Sequence, residues 1–395
     1  MEMSRGSMSL RMQPRVREPI FATPWKGGGI GRTRGGCFLP RHLRGAETYD
    51  WHITLGCARN LACPRLPSLA PPELKLPSSF SISIRILRID TRAGSNHVRA
   101  RVDTNAPTPL NRPVSPYTIV RLKNDAFSVR SEEHAETFHP VVGPIAEAEA
   151  LYVHQLRIAD RVASHVGPFV VWDVGLGAAA NALSVLRSVK HLPASIRMIS
   201  FDCTLEPLKF ALQHVDQLQY LSGYEPWLEE LTLNCSVHAT NSPLEVDWSV
   251  RLSDFPELIA TAAPDSLPAP NAILFDAFSP AKNPAMWTHE VFRQLHHRLH
   301  PETPCALATY SRSTLLRVTL LLAGFFVGSG SATGEKEETT IAANTLDLID
   351  APLDGAWLKR ARRSTSAEPL WSQHYRQAPL SDRSWDQLLN HPQFA

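Results

Sequence analysis

The sequence predicts an α/β fold over residues 114–344, a mostly parallel sheet covered by helices, on three observations. From about Pro113, short runs rich in Val, Ile and Phe alternate with longer amphipathic segments, the rhythm of strand–helix units. Three of those runs end in Asp173, Asp202 and Asp276, at the strand ends where an open α/β sheet forms its crevice. The charge is also divided: of 40 basic and 38 acidic residues, 18 and 7 fall in 1–113, a net +11, and 22 and 31 in 114–395, a net −9.

The elements follow in order. Ala146 to Asp160 reads as a leading helix, Phe169 to Val174 as a strand, Ala178 to Val189 as a helix, Arg197 to Asp202 as a strand and Glu206 to Leu218 as a helix. After a less patterned stretch, Val246 to Leu252 is a strand and Asn271 to Asp276 (NAILFD) a very clear one. Trp287 to Leu299 is a helix, Cys305 to Tyr310 a strand, Ser313 to Ala323 a helix, and Phe325 to Gly328 and Thr339 to Asn344 the last two strands. Only a loop separates that final pair, which implies an antiparallel hairpin on the sheet edge. The resulting seven strands resemble the sheet of Rossmann-like methyltransferases. Residues 345–395 read as a short polar tail carrying the basic run Lys359-Arg360-Ala361-Arg362-Arg363.

Residues 1–113 read differently, because Gly, Pro, Ser and Arg interrupt nearly every apolar stretch before it reaches element length. They are expected to form a flexible basic extension or an upstream segment absent from the mature protein; a nucleic-acid-binding arm is the functional alternative. No run of about 18 apolar residues occurs, so no membrane span is expected. The six cysteines form no C-x-x-C pair and no zinc spacing, which suggests reduced thiols in a cytoplasmic protein without a metal.

The chemistry gathers at the strand ends. In Asp173-Val174-Gly175-Leu176-Gly177-Ala178-Ala179-Ala180-Asn181 the two glycines allow a sharp turn and close approach of a ligand. Read as G-x-G-x-x-A the segment also fits a dinucleotide fingerprint. Asp173, however, would repel a pyrophosphate and welcome the ammonium of S-adenosyl-L-methionine. Asp202 lies 25 residues beyond Gly177, where its carboxylate can accept both ribose hydroxyl protons. Asp254 follows the third strand, placed either to bond an adenine amino group or to sit solvated in a loop. Asp276 is delivered into the crevice by a buried strand, where an idle charge is costly.

Leu274 to Trp287 (LFDAFSPAKNPAMW) resembles the F-L-D-G-F-A-P-A-K-N-P-x-M-W segment of the MnmC-type methyltransferase domain. Weaker similarity runs from Glu136 to about Asn344: Glu136-Thr137-Phe138-His139, Ala146-Glu147-Ala148, Asn181, Leu307-Ala308-Thr309-Tyr310 and Ala323-Gly324-Phe325. Ala179 replaces a usual third glycine, Asp202 a usual Glu and Ala277 a Gly, while the late G-x-K-R-E signature appears as Gly334-Glu335-Lys336-Glu337-Glu338. The second dinucleotide fingerprint of the family's flavin-dependent oxidase domain does not occur in this sequence. The resemblance implies methyl transfer from S-adenosyl-L-methionine to the aminomethyl group of a tRNA wobble uridine, with cofactor contacts from Asp173, Gly175, Gly177, Asn181, Asp202 and Asp254. Asp276 would aim the amine as the catalytic residue, and Lys282 and Lys336 are lesser candidates for phosphate or base contacts. A small-molecule N-methyltransferase, an NAD-dependent oxidoreductase and a silent binding protein on the same fold remain alternatives.

Overall fold

A computed structural model describes residues 115–395 except 264–265 and 334–336, together with the backbone of five short strands before them. Those strands fall in a first unit, Met1–Asn111, and everything else in a second, Arg112–Ala395. In the first unit β1 (Ser9–Arg11) and β4 (Ile89–Asp90) flank β5 (His97–Arg99), and β2 (Tyr49–Leu55) pairs antiparallel with β3 (Phe80–Ile86). The rest of the basic extension, and Lys336 with Gly334 and Glu335, lie outside the described residues.

The second unit is built on an eight-stranded sheet. Its strands are β9 (Phe169–Val174), β10 (Ser195–Asp202), β11 (Ser236–Asn241), β12 (Leu244–Leu252), β13 (Ala272–Phe275), β14 (Ala306–Thr309), β15 (Phe326–Gly330) and β16 (Thr339–Ala343). They lie in the order β11-β12-β10-β9-β13-β14-β16-β15. The central strands β9, β13 and β14 are buried at every residue, as parallel strands covered on both faces must be. All seven expected strands are present in their parallel or hairpin roles, with β15 and β16 the antiparallel edge pair. Beyond the seven expected, β11 pairs antiparallel with β12 at the other edge. Its alternation is too weak to read, since only Val237 in it is buried.

Two apolar layers cover the sheet. One packs α1 (Pro144–Ala148), α2 (Ile158–Ser164) and α3 (Ala180–Val189) on one face, with Tyr152, Phe169, Leu183 and Trp248 at its centre. On the other face lie α6 (Phe255–Thr261), α7 (His289–His297) and α8 (Thr314–Leu322) around Trp172, Phe275 and Trp287. The chain changes direction across the sheet between β9 and β13, and the crevice opens at that switch point.

Three expectations need correction. The leading helix is not continuous: α1 runs into a wide π turn at Glu149–His154, then breaks at Arg157 (φ 49°) before α2 starts. Leu151, Tyr152 and Val153 in that turn are all buried. The helix from Glu206 stops as α4 (Glu206–Leu212), and the uncertain stretch holds α5 (Glu225–Asn234). Residues 345–395 are no loose tail. They form α9 (Gly355–Arg363) and α10 (Asp382–Leu389), burying Trp357, Leu358, Ala361 and Leu388. The Gln393 amide accepts the Val327 N–H and donates to the Val327 carbonyl, each at 2.7 Å, closing the open edge of β15. Within the basic run, Arg362 pairs with Asp382 at 2.7 Å and lies over the Trp385 ring, while Lys359 and Arg360 stay exposed.

Candidate active site

β9 must turn immediately beneath the end of β13, and backbone chemistry dictates how. Gly175 has φ 98°, and a Cβ there would lie 2.7 Å from the Asp276 carbonyl oxygen, so this crossing accepts only glycine. Gly177 has φ 51° and lies under the Phe138 ring, which a Cβ would approach to 3.2 Å. Ala179, where the resembled family has a third glycine, carries a left-handed φ of 64° as the residue before α3.

The three carboxylates predicted here differ in environment. Asp173 is fully buried; its Oδ2 accepts the Ser200 hydroxyl at 2.7 Å, and that hydroxyl accepts the Trp248 indole N–H at 2.9 Å. Its Oδ1 has no partner. The Asp173 carboxyl is pushed up to about 8, chiefly by burial and also by Asp276 and Asp202, against the lowering effect of the Ser200 bond. Asp202 is also raised by burial, against the lowering effect of backbone donors. Its Oδ2 accepts the Gly177 N–H at 3.0 Å and its Oδ1 the Thr204 N–H at 3.2 Å, so this residue fastens the glycine turn to the end of β10. Asp254 is the N-cap of α6, its Oδ1 accepting the Glu257 N–H at 2.9 Å. It is neither a free loop acid nor in direct contact with the other predicted residues, though it is near enough to Cys203 to help raise that thiol.

Asp276 directly follows β13 and joins the two halves of the crevice: its Oδ2 accepts the Asn181 side-chain N–H at 2.7 Å. The Asn181 oxygen is buried without a partner. The Asp276 N–H donates to the Val174 carbonyl at 2.9 Å, locking the strand end against β9. The following segment is clamped from several directions. Trp287 donates to the Phe278 carbonyl at 2.7 Å, Tyr310 to the Ala277 carbonyl at 3.0 Å, and the Ser279 N–H and hydroxyl both donate to Glu136. Lys282 is exposed.

Residues given no role from the sequence complete the site. The small antiparallel sheet β6 (Tyr117–Arg121), β7 (Phe127–Ser131) and β8 (Glu136–Thr137) delivers Glu136, Phe138 and His139 to the crevice. His139 lies 3.7 Å from Asp276 through Nε2 and 3.7 Å from Glu147 through Nδ1. The only sequence signal for them was that they fall in the Glu136–His139 and Ala146–Ala148 segments.

A family model described as S-adenosyl-L-methionine-dependent methyltransferase matches residues 222–345, which include the end of β13 and Asp276. The sheet is also similar to the crystal structure of MNMC2 from Aquifex aeolicus (TM-score 0.52, 22% identity, covering 71% of this chain and 86% of that one), a likeness of fold. Among curated proteins, the chain is 26% identical over 254 residues to the "tRNA 5-methylaminomethyl-2-thiouridine biosynthesis bifunctional protein MnmC" of Pseudomonas putida strain W619. It is 27% identical over 229 residues to the protein of that name from Aeromonas hydrophila. These alignments cover 60% and 54% of this chain but 36% and 34% of those proteins, so the chain spans about a third of their length. The resemblance to the MnmC-type methyltransferase domain is thus matched by both comparisons. Among the described residues no helix is long and apolar enough to cross a membrane.

Proposed function

We propose that this chain transfers a methyl group from S-adenosyl-L-methionine to a primary amine, and that the amine is the aminomethyl group of a tRNA wobble uridine. The observation that carries the reading is Asp276: a carboxylate at the end of an otherwise buried strand, its side chain 19% exposed and tied to the cofactor side through Asn181.

The residues present fit the cofactor. The partnerless buried oxygen of Asp173 suits the ammonium, since a cation beside it would repay the cost of ionising a carboxyl held at about 8. The Gly175–Gly177 turn leaves backbone where a Cβ would intrude, and Asp202 retains acceptor capacity for ribose hydroxyls beside its two backbone bonds. Asp254, with one oxygen committed to its cap, would have the other free for an adenine amino group. When bound, the cofactor supplies an electrophilic methyl on a sulfonium. Asp276 accepts a hydrogen bond from the amine and so aims its lone pair; Asn181 holds that carboxylate in place. Positioning of this kind accounts for as much as ~7–11 kcal/mol of a barrier in favourable intramolecular cases.

The substrate assignment is supported by the printed names of the relatives and the similarity over Leu274 to Trp287. The net −9 of residues 114–395 favours a second reading, a small-molecule amine, because RNA affinity draws on neutralised phosphates. Mass spectrometry of tRNA nucleosides from cells with and without the gene decides between them. Accumulation of the unmethylated aminomethyl nucleoside on deletion supports tRNA; an unchanged profile, with the purified protein methylating free amines, supports the small molecule.

A further inference from the structure

We propose that His139 is the proton acceptor that readies the amine for attack, working through Asp276 and held by Glu147. The inference rests on the amine-methylation reading above. An aliphatic amine is an ammonium near neutral pH and has no lone pair to offer until it loses a proton. Asp276 touches the acceptor side but is a poor final resting place for that proton, since its Oδ2 is already engaged by Asn181 at 2.7 Å. His139 stands directly behind it. Its side chain is 9% exposed, and its two ring nitrogens each lie 3.7 Å from a carboxylate oxygen, Asp276 on one side and Glu147 on the other. A gap of that length is bridged by a small shift or one water.

The surroundings suit an imidazole that gains a charge. The charged and titratable groups around the cluster are Glu147 from α1, Asp276 after β13, Asp173 from β9, Glu136 from β8, Tyr152 from the π turn and Tyr310 after β14. Both tyrosine phenols are pushed up by burial and by these carboxylates, so they stay protonated and do not compete for the proton. No Lys or Arg is paired with Asp276 or His139 in any ion pair of the described residues. His139 also carries a left-handed backbone, φ 49°, of the kind that persists only where surrounding structure enforces it.

In the step itself an ammonium N–H bond breaks and its electron pair stays on nitrogen as the attacking lone pair. The proton passes by way of Asp276 to His139 Nε2, forming imidazolium. Methyl transfer leaves the positive charge on nitrogen, and the proton on His139 returns to solvent.

The test uses the full chain and an anticodon stem–loop bearing the aminomethyl group. His139→Asn suits the left-handed backbone, where Asn is tolerated, and cannot take the proton. Turnover near neutral pH should fall by roughly 10²–10⁴-fold, the usual effect of a lost acid–base group, with affinity for S-adenosyl-L-methionine within about twofold of wild type. The loss should shrink at high pH, where the amine is already neutral, and on addition of imidazole. Glu147→Gln should show a smaller loss with the same pH trend. Separately from turnover, ¹⁵N signals of the His139 ring should become those of imidazolium when the aminomethyl stem–loop binds with the demethylated cofactor, and not when an unmodified stem–loop binds. An active wild type whose His139→Asn variant keeps full turnover, or loses it equally at all pH without imidazole rescue, overturns the proton role alone. A wild type that binds cofactor but methylates no amine overturns the substrate reading and the proton role together.

Discussion

The two halves of the crevice are built in opposite ways. The half proposed for the cofactor is local: β9, the glycine turn, α3 and the end of β10 are contiguous in sequence, and Asp202 bonds back to Gly177 across one strand–helix–strand unit. The half proposed for the acceptor is assembled from afar. Asp276 and the segment after it are gripped by Glu136, His139, Asn181, Trp287 and Tyr310, on five separate elements or loops. A local site is carried by backbone requirements that few residue types meet, whereas an assembled one depends on every packing contact that brings its members together. Damage to the first should therefore appear as lost cofactor binding, and damage to the second as lost turnover with binding kept.

The largest expected effect separates the halves most sharply. Asp276→Asn should lower turnover by roughly 10²–10⁴-fold while leaving melting temperature and cofactor affinity near wild type. Kinetics paired with calorimetry reads this; a proportional loss of affinity would place Asp276 in the cofactor half.

Gly175→Ala breaks the separation, because it strikes where the halves cross. The forced φ of 98° costs about 1–3 kcal/mol, and the 2.7 Å approach to the Asp276 carbonyl adds to it. Denaturant unfolding should report the destabilisation, and calorimetry a loss of cofactor affinity as the turn and Asp276 are displaced together.

Asp202→Ala should weaken the cofactor by roughly 10- to 100-fold, the scale of a lost hydrogen bond to a charged group, and leave turnover at saturating cofactor within a few-fold. Binding of NAD in place of S-adenosyl-L-methionine, measured in the same titration, would overturn the cofactor assignment.

The last effect concerns pH and is read on the cofactor-free protein. Asp173 has a folded value of about 8 against an ordinary 3.8, so its proton stabilises the fold. That contribution is complete below about pH 4 and is lost as pH rises toward 8. Without cofactor, Asp173→Asn should therefore flatten the decline of melting temperature across this window, and adding S-adenosyl-L-methionine to the wild type should flatten it too. A parallel decline in wild type and variant would show that the buried carboxyl does not carry the effect.

Much of the contrast was legible before any coordinates. The buried strands Phe169–Val174 and Ala272–Phe275, the glycine turn and the terminal hairpin all follow from local pattern. Arg317, which interrupts an apolar run in the sequence, proves compatible with a buried helix because it bonds Thr340, the Thr339 carbonyl and Glu338. The final helices escaped notice for a related reason: α9 has four charged residues among its nine, three of them exposed, and buries only Trp357, Leu358 and Ala361. Its amphipathic signal is real but sits inside a basic run that reads as solvated.

The sequence by itself determined the α/β sheet, the glycine turn after β9 and the strand that leads to Asp276, since strand burial, left-handed glycines and strand-end acids are requirements of backbone geometry within a few residues. Only the tertiary structure decided that Asp202 fastens that turn, that Asp254 caps a helix, and that His139 and Glu147 stand behind Asp276. The His139–Asp276 pairing joins side chains more than a hundred residues apart in the chain, and a contact of that range leaves no period or spacing in the sequence to be read, whereas the Asp202 and Asp254 roles depend on which nearby backbone N–H each carboxylate meets in the folded turn.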